Sequence, residues 1–96
     1  MPYEILLSEE AVNFLMSLNP KSKAICKKNL QKLTNPYPGR GIGDKERLVI
    51  GGKDRYRIHI SRTYTAFYII DEKEKIVRVV EILTIESAHK KYGFKK

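Results

Sequence analysis

Segment 55–68 constrains the fold of this chain more than any other part of the sequence. Basic and apolar side chains alternate over its first half, which is the pattern of a β-strand with two unlike faces. Arg55, Arg57 and His59 fall on one face, and Tyr56, Ile58 and Ile60 fall on the other. A two-residue step, Ser61-Arg62, leads into a second β-rich run, so the segment predicts an antiparallel hairpin.

The basic face of this strand has two interpretations. Guanidinium groups match phosphate oxygens in a bidentate geometry, so the face is suited to an anion such as a nucleic-acid backbone. The alternative is a solvated strand face whose charges pair with neighbouring carboxylates. The residue pattern by itself leaves both interpretations open.

The length of 96 residues predicts a single domain, 1–96, with one modest core. Hydrophobic residues make up 42% of the chain, which excludes a disordered protein. No apolar run approaches the roughly 20 residues of a membrane helix, and the N-terminus lacks the pattern of a signal peptide. Cys26 is the only cysteine, which excludes an internal disulfide and favours the reducing cytoplasm.

The same residue counts argue against metal chemistry. One cysteine and two histidines do not supply the ligand set of a zinc site, so neither a metal nor a cofactor is predicted. No local signature marks Cys26 as a nucleophile, and we expect it to be a small apolar residue on a helix.

Positive charge is clustered along the chain. The net charge is +8, and segment 21–47 holds eight basic and two acidic residues, whereas segment 1–20 has three acidic residues and no base. Segments 53–62 and 82–96 each add a net +3. Such clustering favours a polyanionic partner. Lysines on helices are often only solubilising, so the strand arginines carry more of this argument.

Two helices and five strands are predicted. A strand at 3–7 precedes a helix capped by Ser8, and Asn19-Pro20 starts a second helix that runs to about Leu33. Ala11, Val12, Leu15 and Met16 form the apolar face of the first helix, and Cys26, Leu30 and Leu33 form that of the second. Gly39, Gly41 and Gly43 lie in a flexible connector, because no P-loop signature surrounds them.

Further strands are expected at about 46–50, 55–60, 63–70 and 75–84, with turns at Gly51-Gly52 and at 71–74. The last strand is apolar on both alternating faces apart from Arg78 and Glu81, so it is predicted to be central. The order β-α-α-β-β-β-β predicts an α+β fold, in which a helical hairpin packs on one face of a mostly antiparallel, strongly twisted sheet.

This order, with Tyr56-Arg57-Ile58-His59-Ile60-Ser61 and Tyr64-Thr65-Ala66-Phe67-Tyr68, resembles the RelE/ParE superfamily of toxins from toxin–antitoxin modules. The resemblance covers most of the chain, as far as Tyr92. RelE-like members cleave messenger RNA at the ribosome without a metal, whereas ParE-like members inhibit DNA gyrase. The resemblance therefore implies a RelE-like endoribonuclease toxin with a cognate antitoxin as partner, and a ParE-like gyrase inhibitor or a catalytically inactive RNA-binding domain as alternatives.

The resemblance also implies roles for individual residues. RelE-type cleavage uses the 2′-hydroxyl as nucleophile and leaves a cyclic phosphate, so it needs a base, an acid and cations at the phosphoryl oxygens. Arg57 matches the first arginine of the family motif, and His89 and Tyr92 are the expected acid–base pair. The expected RNA-binding or phosphate-binding residues are Lys53, Arg55, His59, Arg62, Lys90 and Lys91.

The chain departs from the family pattern at two places. Thr65 stands where members usually have their second arginine, and Glu86-Ser87-Ala88 replaces a common Gly-His-Arg. Arg62 or Arg55 is available to compensate for the first loss. Glu46 lies where a few members place a catalytic acid, with a surface charge on a strand as the alternative. Tyr64 is a candidate platform for stacking a base.

Overall fold

The computed structural model describes residues 2–38 and 45–92, apart from the side chain of Tyr92. The strands are β1 (Glu4–Leu7), β2 (Lys45–Ile50), β3 (Lys53–Ile60), β4 (Tyr64–Asp71) and β5 (Ile76–Thr84). The helices are α1 (Glu9–Met16), α2 (Pro20–Leu30), which continues as a 3-10 turn over Gln31–Thr34, and α3 (Ile85–Tyr92). The predicted connector at Gly39–Gly43 lies outside the described residues.

Both predicted helix starts are confirmed by their caps. The Ser8 hydroxyl accepts the Ala11 N–H at 3.0 Å, and the Asn19 side chain accepts the Ser22 N–H at 2.8 Å. The Ser8 hydroxyl also donates to the carbonyl of Val80, at 2.5 Å, so the start of α1 is tied to β5. In the described residues no helix has both the length and the apolar character needed to cross a membrane.

The apolar face of α1 differs from the predicted one. Ala11 and Leu15 are buried, but Val12 and Met16 are 40% and 66% exposed. The buried stripe continues from Leu15 to Leu18, which packs against the core, at the i, i+4, i+7 spacing of one helix face. Val12 and Met16 each follow a buried residue by one position and are therefore rotated about 100° away from the sheet.

The five strands form one twisted, open sheet in the order β1-β5-β4-β3-β2. β1 runs parallel to β5, and the other neighbours are antiparallel. As predicted, β5 is not an edge strand: it lies between β1 and β4, and β4 is the middle strand of the five. β5 is apolar on both faces because α1 packs against it and α3 also reaches it.

The turns set the registers of the sheet. Gly51 and Gly52 join β2 to β3 with φ values of +60° and +79°, the positive values that a two-residue type I′ turn requires. The β3–β4 connection has three residues, Ser61–Thr63, instead of the predicted two, and Ser61 has a φ of +59°. The hairpin is confirmed, and only its loop is longer.

The main core lies between the helical hairpin of α1 and α2 and one face of the sheet. It is formed by buried residues of both layers, with Tyr56, Tyr64 and Ile70 among those packed at its border. Its fully buried members include Cys26 and Leu33 from the helical hairpin and Ile58, Ile60, Ala66, Tyr68, Val77 and Val79 from the sheet. Burial raises the pKa of the Cys26 thiol, which keeps the side chain neutral and agrees with its prediction as an apolar residue.

Candidate functional site

The alternation along β3 places its basic side chains on the sheet face away from the helical hairpin. Ile58 and Ile60 are fully buried on the helix side, so Arg57 and His59 point to the opposite face, and Arg55 shares their parity. Lys53, at the start of the strand, has the same parity and is exposed. The predicted separation of a basic face from an apolar face is confirmed.

Glu46 of β2 lies directly opposite Arg57 in the β2–β3 ladder. Its Oε1 accepts hydrogen bonds from Nε of Arg57 at 2.6 Å and lies 2.5 Å from Nη2 of the same guanidinium. Nε2 of His59 is 3.4 Å from the same oxygen. Glu46, Arg57 and His59 therefore form one contact cluster, which we call the Glu46 cluster.

The charges of this cluster determine the ionisation of its carboxyl group. Burial by itself raises the pKa of Glu46, but the hydrogen bond and Coulombic attraction of Arg57, with smaller contributions from His59, outweigh it and leave the pKa below its ordinary value. Glu46 is consequently a carboxylate at neutral pH. It holds Arg57, whose side chain is only 17% exposed, in a fixed orientation.

Arg55 lies beside this cluster, opposite Leu48. Its Nε atom is buried and has no hydrogen-bond partner within the described part of the chain. Nε of Arg55 therefore retains hydrogen-bonding capacity that the described residues do not use.

A β-bulge extends the same face across β4 and β5. Phe67 pairs with Arg57 on one side and Glu81 on the other, but its neighbour Tyr68 pairs with Val79, so Val80 is the extra residue. The bulge keeps Ile82 in the helix-side core and leaves Glu81 on the Arg57 face. Phe67 is fully buried, so this part of the face is covered.

Helix α3 provides that cover. The Ile85 N–H donates to the carbonyl of Thr63 at 2.9 Å, Ala88 is buried, and Nζ of Lys91 lies 2.7 Å from Oε1 of Glu81. The helix therefore lies on the same face of the sheet as Arg57. His89 and Lys90 are exposed on it, and Tyr92 is its last residue.

Two positions at which the family pattern has arginines are closed to a ligand. Thr65 is buried, and its hydroxyl donates to the carbonyl of Ile58 at 3.3 Å. Ala88 is buried against the sheet. Arg62 is exposed in the β3–β4 loop. Of the two arginines expected to compensate, Arg55 lies on the Arg57 face and Arg62 lies in the β3–β4 loop.

Tyr64, the candidate base-stacking platform, lies on the helix side of the sheet and not on the Arg57 face. It pairs with Ile60 and meets the ring of Phe14 edge-on, with ring centroids 5.8 Å apart, on the helix side. The three-residue loop places Tyr64 directly opposite Ile60, and paired residues point to the same face of a sheet.

Glu81 and Phe67 are absent from the predicted site residues. The sequence nevertheless marks Glu81 as unusual, because it is a carboxylate within a mostly apolar strand. A carboxylate in an otherwise apolar strand is either at an edge or paired. Its partner, Lys91, is ten residues away and belongs to an element that folds back over the sheet. Among the described residues, no three His, Cys, Asp or Glu side chains come together as a metal site would require.

Comparison by sequence finds no matching family model and no matching curated protein. Comparison by structure is informative. RelE in the archaeal RelE–RelB complex of Pyrococcus horikoshii aligns with 88% of this chain and 96% of its own, with a TM-score of 0.70 and 23% identity. The chain has a RelE/ParE-like fold.

Other structures with the RelE/ParE-like fold give the same result. The YoeB/ParE toxin from Agrobacterium tumefaciens has a TM-score of 0.67 at 10% identity, with 84% of this chain and 96% of that chain covered. A YoeB chain from Staphylococcus aureus has a TM-score of 0.62 at 17% identity, with 84% and 94% covered. The fold class predicted from the sequence is confirmed, and α3 completes its element order.

The lowered pKa of Glu46 gives a testable dependence of stability on pH. Glu46→Gln should lower the free energy of unfolding at pH 6 by less than about 1 kcal/mol, because the side chain is 44% exposed and the pair is partly screened. A carboxyl group whose pKa is lowered by folding stabilises the protein at pH values above its pKa in the unfolded chain, which is about 4.3. This stabilisation disappears as the pH falls through the pKa of the group in the folded protein.

Urea unfolding of the wild type and Glu46→Gln at pH 6 and pH 3 measures this effect. The difference between the two proteins should shrink at pH 3. Glu74→Gln, in an exposed turn, is the control. A difference that is equal at both pH values, or larger in acid, would contradict the interpretation of the Glu46 cluster.

Proposed function

We propose that this protein is the toxin of a toxin–antitoxin module, acting in the cytoplasm as a metal-independent endoribonuclease that cleaves messenger RNA at the ribosome. The observation that carries the proposal is the position of Arg55, Arg57 and His59 on the face of a RelE/ParE-like sheet that the helical hairpin leaves uncovered. Phosphate recognition by a planar guanidinium fits an RNA backbone.

The proposed reaction is a transesterification within the RNA. The 2′-oxygen forms a bond to the adjacent phosphorus, the bond from phosphorus to the 5′-oxygen breaks, and a 2′,3′-cyclic phosphate remains. The 2′-hydroxyl loses a proton to a base, and the 5′-oxygen gains one from an acid. His89 and Tyr92 are assigned to these transfers, and Arg57 to the phosphoryl oxygens.

The remaining basic residues bind the RNA backbone in this proposal. They are Lys53, Arg55, His59, Arg62 and Lys90, with Lys91 partly neutralised by Glu81. The RNA phosphate competes with Glu46 for Arg57, because both are anions that accept from the same guanidinium. Glu46, which contacts Arg57, and His59, which contacts Glu46, are the alternative acid–base pair.

The proposed protein partner is a cognate antitoxin. The Pyrococcus horikoshii structure with the same fold is a complex of RelE with RelB, which supports a partner of this kind. An antitoxin that covers the Arg57 face would block access of RNA to the cations.

A second function, inhibition of DNA gyrase as in ParE-like toxins, is favoured by one observation. Thr65 and Ala88 occupy the places of two common arginines, and both are buried. A nuclease on this scaffold therefore has fewer cations for the transition state. A non-catalytic inhibitor has no such requirement, and neither has a binding domain without activity.

Expression of the chain without a partner should arrest growth by stopping protein synthesis. Pulse labelling of protein and DNA after brief induction measures the two processes, and primer extension on abundant messengers detects new 5′ ends. Co-expression of a neighbouring antitoxin gene should relieve the arrest. DNA-damage signalling with intact protein synthesis would support the gyrase alternative, and normal growth with soluble protein would support an inactive domain.

RNA binding should depend on Arg57 and Arg55 more than on Lys27 and Lys28, which belong to α2 on the other side of the sheet. Arg57→Ala should reduce the salt slope of binding by roughly 1, with a similar loss for every RNA sequence. Lys27→Ala with Lys28→Ala is the control, since it removes more charge. If this control weakens binding more than Arg57→Ala, the binding face is misplaced.

Proton transfer should be separable from binding. His89→Ala and Tyr92→Phe should each slow cleavage by about 10²–10⁴-fold while RNA affinity stays nearly constant. Arg57→Ala should lower both, since a phosphate contact acts in the ground state as well. The assay uses isolated protein and RNA with EDTA. If both substitutions keep the wild-type rate, the acid and base lie elsewhere, and His59→Ala and Glu46→Gln are tested next.

A further inference from the structure

Glu81 is a buried carboxylate in the middle of an apolar strand. Its side chain is 7% exposed, and the β-bulge at Val80 turns it to the Arg57 face of the sheet. A buried carboxylate requires hydrogen bonds and a countercharge, because taking the charge out of water is costly. Because burying the Glu81 carboxylate costs folding free energy, we expect this charge to perform a structural role.

Lys91 supplies the countercharge from the far end of α3. Its Nζ lies 2.7 Å from Oε1 of Glu81, and its own side chain is 52% exposed. Along the helix, Lys91 is about 9 Å beyond Ile85, at the usual 1.5 Å rise per residue. The helix therefore folds back over β5 after the chain leaves the strand. The ion pair connects the C-terminal end of the helix to the middle of β5.

Contacts at several points along α3 attach it to the sheet. At the start of the helix the Ile85 N–H donates to the carbonyl of Thr63, and the hydroxyl of Thr84, in β5, accepts the Ser87 N–H at 3.1 Å. Further along, the side chain of Ala88 is buried and Lys91 pairs with Glu81, and the spacing of three residues places these two side chains on one side of the helix. An isolated helix of eight residues is not stable in water, so its position depends on these contacts.

We propose that Glu81 is a positioning residue: through Lys91 it fixes the docking and the rotation of α3, and with them the direction in which His89 points. His89 and Lys91 lie about 160° apart around the helix axis, so they occupy opposite flanks. Fixing one flank fixes the other. The consequence for catalysis rests on the proposed function, whereas the anchoring of α3 does not.

The two partners respond differently to truncation. Lys91→Met leaves the Glu81 carboxylate buried without this ammonium, which is the costly case. Glu81→Leu removes the buried carboxylate, leaves Lys91 as a half-exposed side chain, and fills the site with an apolar side chain. Lys91→Met should therefore loosen α3 more than Glu81→Leu. The double variant Glu81→Leu with Lys91→Met restores an apolar contact and should recover most of the loss.

The rival role for Lys91 is direct contact with RNA phosphate. The double variant separates the two, because an apolar contact restores helix docking but not a phosphate contact. If Lys91 positions α3, the cleavage rate at saturating RNA falls in Lys91→Met and recovers in the double variant. If Lys91 binds phosphate, the rate or affinity stays equally low in both.

Amide hydrogen exchange and single-turnover cleavage at saturating RNA are measured on the full-length chain and these variants. In Lys91→Met, exchange in α3 should be at least about tenfold faster, the factor expected from losing a hydrogen bond between charged groups, with β3 and β4 unchanged. Arg47→Met is the control, since it removes one cation from the exposed Arg47–Asp54 pair at 3.1 Å. It should leave α3 exchange and cleavage unchanged.

The outcomes distinguish the two proposals. Unchanged α3 exchange in Lys91→Met overturns the anchoring, whatever the activity. Faster α3 exchange with no recovery of the rate in the double variant overturns the positioning role in catalysis. A wild-type chain that cleaves no RNA overturns the proposed nuclease function, and the exchange measurement still decides whether Glu81 anchors the helix.

Discussion

The antiparallel ladder between β3 and β4 determines which side chains can meet in this molecule. Ile58 faces Ala66 and Arg57 faces Phe67, so alternate rungs belong to opposite faces of the sheet. A slip of one residue would exchange the two faces and carry Arg57 into the helix-side core. The burial of Ile58, Ile60 and Ala66 prevents that slip, so the hydrophobic core also fixes the placement of the basic residues.

The face on which Arg57 lies is less uniformly positive than the net charge of +8 implies. Glu46 engages Arg57 on one side of the face, and Glu81 engages Lys91 on the other. These carboxylates orient the cations while they reduce the overall potential. A ligand for this face is therefore selected by geometry as well as by charge, because its anionic group must replace or complement an oxygen that is already in place.

Local signals were sufficient for a large part of the fold. The caps at Ser8 and Asn19 and the Gly51-Gly52 turn depend on neighbours in sequence, and each is confirmed. The contact of Glu46 with Arg57 was also accessible, because counting outward from a two-residue turn places these residues opposite each other. The central position of β4 was not accessible, since it follows from the parallel pairing of β1 with β5, which no turn specifies. The bulge at Val80 has no sequence signal, and the position of Glu81 depends on it.

The pairing of β1 with β5 has a consequence for the synthesis of the protein. Val79, the partner of Leu7, is made 72 residues after it. β1 has no sheet neighbour until β5 has been made, and the contacts of α1 with β5 form only then. Completion of the sheet therefore waits for β5, when non-local contacts of this kind can form. A chain that stops before Val79 lacks the strand that joins its N-terminal segment to the sheet.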